Sequence, residues 1–444
     1  MKELKHQIHH ALKTLLDDEV ADREEVEALK ARYEAVRDTA GRAELEALYS
    51  EILQVNVAEQ PHQPSDLEAI RRLRRAGPRA FPAAPGGDEL YDRILGGLLG
   101  RACGCTLGKP VEGWTRAQIE EYLAAFGEED VTGYIPFHDG PPPGAARAVL
   151  SFHRPFCRGE INRMAREDDM DFTVLCLHIL DAAGLDFTTE DVGRIWLERM
   201  PYMCTNTAER AAYANLVNGI APPRTAAHRN PYREWIGAQI RADAFGYAAP
   251  GLPEFAAGLA WRDARLSHVR NGIYGGMWVA AAIAAAFVTD DVRQVIEIAT
   301  SEIPRESRFA RMVEDVVRWS GECDDWKACW QRIHDEYGNL HWVHTLNNAA
   351  LTLLALLYGE KDLGKTICIA VQGGWDTDCT AATAGSILGV MLGASALPER
   401  WVAPLNDTLE TAVFGYNPTT FTGIARKACN IAQRTRELIS CTNA

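Results

Sequence analysis

Two runs of this chain hold more carboxylates than local structure needs. One is Glu167-Asp168-Asp169-Met170-Asp171, and the other is Gly373-Gly374-Trp375-Asp376-Thr377-Asp378-Cys379. Each stands where a loop turns into an apolar helix. Thr173, Val174, Leu175, Leu177, Ile179 and Leu180 follow the first, and Ala381, Ala382, Ala384, Gly385, Ile387, Leu388 and Leu392 follow the second. One aspartate at such a place is a helix cap, favoured by the unpaired N–H groups and the helix dipole. Three adjacent acids exceed what a cap uses. Two carboxylates at the mouth of a buried helix need a compensating charge or many donors. If the runs meet, they make an oxygen-rich site for hard divalent cations. A further carboxylate, Glu112, follows Lys109-Pro110-Val111 at the end of a helix carrying Gly96, Gly100, Gly104 and Gly108. That glycine row, close to one per helical turn, lets another backbone approach closely. It serves either close packing beneath a site or close packing alone.

Other polar residues stand in apolar surroundings. Ser267-His268-Val269-Arg270-Asn271-Gly272-Ile273-Tyr274 enters a very apolar helix and reads as a cleft wall. His341-Trp342-Val343-His344-Thr345-Leu346-Asn347-Asn348 has zinc-like spacing but no third ligand to complete a zinc site. Support for a site and an aromatic ledge both remain open for it. Trp375 could stack on a base or pyridine ring, or belong to the core.

These groups must be positioned by the rest of the chain. At 444 residues, with 47% hydrophobic and 24% charged residues, it has the composition of a large globular protein. A net charge of −15 argues against nucleic acid or an anionic membrane as a general partner. The longest apolar stretch, Gly275 to Val288, falls short of the roughly 20 residues of a membrane span. The 11 cysteines are odd in number and lack paired metal-type spacing. The start Met-Lys-Glu-Leu-Lys-His has no signal-peptide character, so a reduced, cytoplasmic protein is expected.

Residues 1–56 show helical apolar spacing at Leu12, Leu15, Leu16 and Val20, and again at Val26, Leu29, Tyr33 and Val36. They predict an appended bundle of two or three helices, which packs on the main body, pairs with a second copy or docks a partner. Residues 57–87 hold Pro61, Pro64, Pro78, Pro82, Pro85 and a Gly86-Gly87 pair, a linker with one short helix. From residue 88 to 444, long helical patterns follow one another with few strand patterns. The fold class expected is all-α.

Taken in order, these residues resemble the ADP-ribosylglycohydrolase family of the dinitrogenase-reductase-activating type. Gly104-Cys105-Thr106-Leu107-Gly108 with Pro110 and Glu112 is similar to its glycine-aspartate-alanine-leucine-glycine motif. Glu167-Asp168-Asp169-Met170 is similar to its threonine-aspartate-aspartate-threonine motif. Gly373 to Cys379 resembles its glycine-glycine-aspartate-threonine-aspartate-threonine motif. Gly237-Ala238-Gln239-Ile240-Arg241 and Leu266-Ser267-His268 resemble two intervening segments. Cys105 replaces an aspartate, Glu167, Met170 and Cys379 replace threonines, and Trp375 stands as an addition or substitution before Asp376.

The resemblance implies an all-helical fold with a binuclear magnesium or manganese site. It places Glu167, Asp168, Asp169, Asp376, Asp378 and Cys379 at the metals, and Glu112, Asp169 and Asp378 in catalysis. It places Gly237, Gln239, Arg241 and His268 in the substrate cleft, and the residues themselves add Asn271, Tyr274, Gly373, Gly374 and Trp375 as expected substrate contacts. The activity implied is metal-dependent hydrolysis of a bond between ribose and nitrogen. The substrate is an ADP-ribosylated side chain or a smaller nucleotide-like metabolite. A non-catalytic protein that binds ADP-ribose-like ligands is the rival reading.

Overall fold

The computed structural model describes residues 1–18, 21–81 and 84–442. Val20, Pro82 and residues 443–444, named in the expectations above, lie outside the described residues. The fold is all-α, and its only sheet among the described residues pairs Trp114–Thr115 with Gly374–Trp375. No described helix is long and apolar enough to cross a membrane.

At the N-terminus, α1 (Lys2–Asp17), α2 (Arg23–Val36) and α3 (Arg42–Ile52) form a bundle. Its apolar faces close on one another through Leu4, Ile8, Leu12 and Leu15 against Val26, Leu29, Leu45 and Leu48. The α2 start is capped by Asp22, whose side chain accepts from the N–H groups of Glu24 and Glu25. Another side of α1 docks on the main body. Thr14 donates to the Pro231 carbonyl at 2.5 Å, and Lys13 to the Asn339 carbonyl at 3.2 Å. Asp18, at the end of α1, pairs with Arg270 at 2.6 Å and Arg233 at 3.2 Å. The linker helix α4 (Leu67–Leu73) follows.

The centre of the main body is the packing of α5 (Gly87–Gly108) against the helix Thr377–Leu392. The glycine row explains why these helices nearly touch. A Cβ at Gly104 would lie 2.1 Å from the Ala381 carbonyl oxygen, and one at Gly108 would lie 2.4 Å from the Asp378 nitrogen. The row is therefore a backbone contact whose last glycine sits directly under the second acidic run. A side chain there would displace Asp378.

The small sheet ties the same region from the other side. Trp114 pairs with Trp375 and Thr115 with Gly374, antiparallel. Gly113 N–H also donates to the Trp375 carbonyl at 2.8 Å. The segment just after Glu112 is thus stapled to the segment just before Asp376. Trp375 itself has φ +67°, a strained conformation for a bulky residue. Packing holds the strain: its ring lies parallel to His334 at 6.2 Å, and the residue is buried.

Candidate active site

Glu167 caps the helix Asp168–Ala182, its side chain accepting from the Asp169 N–H at 2.6 Å. Asp376 precedes the helix Thr377–Leu392, and its own N–H donates to Asn348 Oδ1 at 3.2 Å. These two helix starts meet at the C-terminal end of α5. Oxygen or sulfur atoms of Cys105, Glu167, Asp169 and Asp378 fall within 4.8 Å of one another, as do those of Asp376, Asp378 and Cys379. The two acidic runs form one cluster.

A residue that the sequence reading passed over sits inside it. The Lys109 ammonium lies 2.6 Å from Glu112, 2.8 Å from Glu167 and 2.9 Å from Asp378. Burial alone would lower its pKa, but the charges of Asp378, Glu167 and Glu112 outweigh burial and hold it well above the usual lysine value. Arg101, fully buried, is the second cation. It binds Asp169 at 2.9 Å and Asp243 at 3.0 Å.

Positive charge is still short. Burial, then the neighbouring Glu167, pushes the Asp168 and Asp169 carboxyls well above the usual range. Burial, then Asp378, does the same to Asp376, and lifts Glu112 to about 7. Asp376 Oδ1 and Asp378 Oδ1 are buried with no hydrogen-bond partner. A cation beside these oxygens would satisfy them and bring the neighbouring carboxyls back down. The donor set is hard oxygen, which fits magnesium or manganese. Cys379 places a softer sulfur within 4.8 Å of the Asp376 and Asp378 oxygens. Burial pushes its thiol up, and its Sγ donates to Asp169 Oδ2 at 3.2 Å.

The cluster forms one end of a cleft of about 580 Å³. Lys109, Glu112, Asp168, Asp376, Asp378 and Cys379 line that end. Trp235, Gly237, His341 and Trp342 are among the other lining residues, together with His6 and His10 from α1. The His341-Trp342 pair is therefore an aromatic ledge.

The remaining predicted substrate residues lie elsewhere. Arg241 is fully buried, bonded to Glu209 at 2.5 Å, to Ser267 at 2.8 Å and to Asp263. His268 stands behind it, accepting from or donating to Ser267 at 2.8 Å. Arg241 holds Glu209, which does line the cleft. Gln239 is buried and accepts from Thr345 at 3.2 Å. Asn271 and Tyr274 do not reach the cleft wall. Asn271 bonds Gln63 at 2.9 Å and Glu234 at 2.8 Å, and the Tyr274 hydroxyl donates to the Pro64 carbonyl at 2.5 Å. They hold the linker. Gly373 accepts from Trp330 at 3.0 Å, while Gly374 and Trp375 build the strand beneath the cluster.

The family model described as ADP-ribosylglycohydrolase matches residues 87–436 of this chain. Among solved structures, one described as an "ADP-ribosylglycohydrolase-related protein complex" is similar in fold. It superposes with a TM-score of 0.51 at 19% identity, covering 78% of this chain and 99% of that chain. No curated protein matches. The bundle α1–α3 lies before the matched residues.

Proposed function

Since this chain belongs to the ADP-ribosylglycohydrolase family, we propose that it hydrolyses an N-glycosidic bond of ribose with the help of a divalent cation. The observation that carries this reading is the convergence of Glu112, Asp168, Asp376 and Asp378 on one end of a cleft of about 580 Å³. A cation held by Asp168, Asp376 and Asp378 would supply Lewis-acid polarisation of the ribose hydroxyls and the attacking water. Lys109 takes a second positive position between Glu167 and Asp378, so the site is read as one divalent ion plus one ammonium.

The chain's own residues do the rest. As the bond to nitrogen breaks, positive charge grows on the anomeric carbon and ring oxygen. Fixed carboxylates nearby stabilise that charge and need no reorganisation. Glu112, lifted to about 7, is poised to exchange a proton near neutral pH. Asp169, held by Arg101 and Cys379, keeps Glu167 and the helix start in register.

The test is metal-dependent release of ribose or ADP-ribose from a panel of N-ribosides and ADP-ribosylated peptides. Magnesium or manganese should be required, and Asp378→Asn should abolish release. If the wild-type protein releases nothing and binds neither metal by calorimetry, the catalytic reading fails.

A further inference from the structure

The bundle α1–α3 precedes the family match, yet α1 delivers two side chains to the cleft. His6 and His10, one helical turn apart, line it beside Trp235, His341 and Trp342. The rings form one connected group. Trp235 stacks on His341 at 4.1 Å with 13° between planes. His10 meets Trp235 edge-on at 5.1 Å, His341 at 5.0 Å and His6 at 4.2 Å. His6 Nδ1 is hydrogen-bonded to the Tyr232 hydroxyl at 2.8 Å, and His10 Nε2 to His6 Nε2 at 3.0 Å. The far end of α1 is also held to the main body, through Thr14 and Asp18.

The charge lining the cleft is equally telling. Among the described residues that line it, Lys109 is the one Lys or Arg side chain, and three carboxylates already engage it. Burial holds His10 and His341 down at about 3, so their rings are neutral at physiological pH. Glu112, Asp168, Asp376 and Asp378 line it with carboxyl groups, while Glu209 is already paired with Arg241. The cleft therefore presents carboxylates at one end, flat neutral rings at the other, and no unengaged basic side chain for a phosphate. Neutral aromatic rings take flat heteroaromatic groups by stacking and edge contacts.

We propose that α1 is a working wall of the active site, with His6 and His10 as specificity-determining residues, and that the substrate is a free, unphosphorylated N-riboside with a heteroaromatic leaving group. The proposal rests on the ribosyl-hydrolase reading above and narrows its substrate. Ribose would lie at the carboxylate end and the leaving ring against Trp235, His341 and His10. Water adds across the bond: its oxygen joins the anomeric carbon, the bonding pair leaves with the ring nitrogen, and that nitrogen takes the proton. No other reactant is consumed.

The experiment uses the full chain with manganese and two matched probes, inosine and inosine 5′-phosphate, with an ADP-ribosylated peptide as the third. Wild type should favour inosine over its phosphate by about tenfold or more in kcat/KM. His10→Ala should raise the inosine KM about tenfold while kcat stays within about threefold. His10→Phe, which keeps a ring and fills the site, should bring the inosine KM back from the His10→Ala value towards that of wild type, separating the shelf from a folding defect. Equal or better use of the phosphate or the peptide overturns the substrate class, and an unchanged KM in His10→Ala overturns the role of α1. Calorimetric inosine binding keeps the two readings apart. If no riboside is hydrolysed yet His10→Ala weakens inosine binding, the hydrolase reading fails and the shelf stands. If inosine does not bind wild type, the shelf falls.

Discussion

The two ends of the cleft are built on opposite principles. The carboxylate end is fixed by backbone: two helix starts, the strand pair Trp114–Trp375, and α5 pressed against the helix Thr377–Leu392. Its side chains carry charge that the protein does not fully balance. The ring end is fixed by side chains from three separate segments, α1, Tyr232–Trp235 and His341–Trp342, and burial keeps its His10 and His341 rings neutral. A charged site in a low-dielectric surrounding acts strongly but tolerates little displacement. A ring shelf acts weakly per contact and tolerates exchange of one ring for another. On the proposed reading, chemistry belongs to the first end and selectivity to the second.

The sharpest way to break this contrast is at Gly108. Its added Cβ would meet the backbone at Thr377 and Asp378, 2.4 Å away. Backbone must move, and with it the Asp378 carboxylate. Gly108→Ala is expected to lower kcat by about 100-fold or more, since a 1 Å misplacement of a catalytic group costs about that much. If kcat holds, the carboxylate end is less rigid than its packing implies.

Next comes Lys109→Met, which keeps the stem and removes the charge. Three carboxylates then lose their shared partner, and breaking a buried ion pair costs about 3–5 kcal/mol. Metal-free variant protein should unfold at clearly lower temperature, and manganese should restore more stability to it than to wild type. Calorimetric titration should also count one more divalent ion bound. An unchanged unfolding temperature without metal would remove Lys109 from the charge balance.

A smaller effect separates the two ends by pH. His10 and His341 are held at about 3, against about 6.5 unfolded, chiefly by burial and then by neighbouring positive or protonatable groups: His6, His9 and Lys13 among them. Below 6.5 the unfolded chain takes up protons that the folded ring end refuses, so stability falls as pH drops from about 6.5 towards 3. At pH 5 each histidine accounts for up to about 2 kcal/mol. Denaturant unfolding at pH 7, 6 and 5 should show His10→Phe with a slope shallower by about one proton. Glu112 leans the other way. Lifted by burial and Asp378 to about 7, it binds its proton more tightly when folded, so it favours folding at low pH and loses that contribution as pH rises from about 4.5 to 7. Glu112→Gln should erase that part of the profile. Identical slopes in all three proteins would break the contrast.

Much of the carboxylate end was legible in sequence because its signal is local. Acids at the head of an apolar helix stand out within a few residues, and helical periodicity gave the all-α class. Lys109 was illegible for the opposite reason. In a chain a lysine reads as a solvated surface charge, and its carboxylate partners Glu167 and Asp378 come from distant segments. The ring end was hidden in the same way. The spacing of His6 and His10 puts them on one face of α1, but nothing local says what that face meets. Asn271 and Tyr274 show the converse error. Their polar string enters the apolar helix facing Gln63 and Pro64, so residues with the chemistry of a cleft wall instead anchor the linker.

The smallest predicted effect concerns Cys379, which lies in the cleft at the carboxylate end. Sulfur in a magnesium or manganese site would be a poor ligand. The geometry gives it another task, since its S–H donates to Asp169 Oδ2 while Arg101 holds Oδ1. Burial pushes the thiol up, so it keeps the proton that this bond needs. A serine hydroxyl can make the same bond. Cys379→Ser should therefore change stability by less than about 1 kcal/mol, the scale of one hydrogen bond, and leave kcat within about threefold. The sensitive readout is selectivity, measured as cadmium against manganese affinity. If sulfur only donates to Asp169, the ratio stays where it was. A fall in cadmium affinity alone would make Cys379 a ligand, and the contrast between a hard charged end and a neutral ring end would then hold only in part.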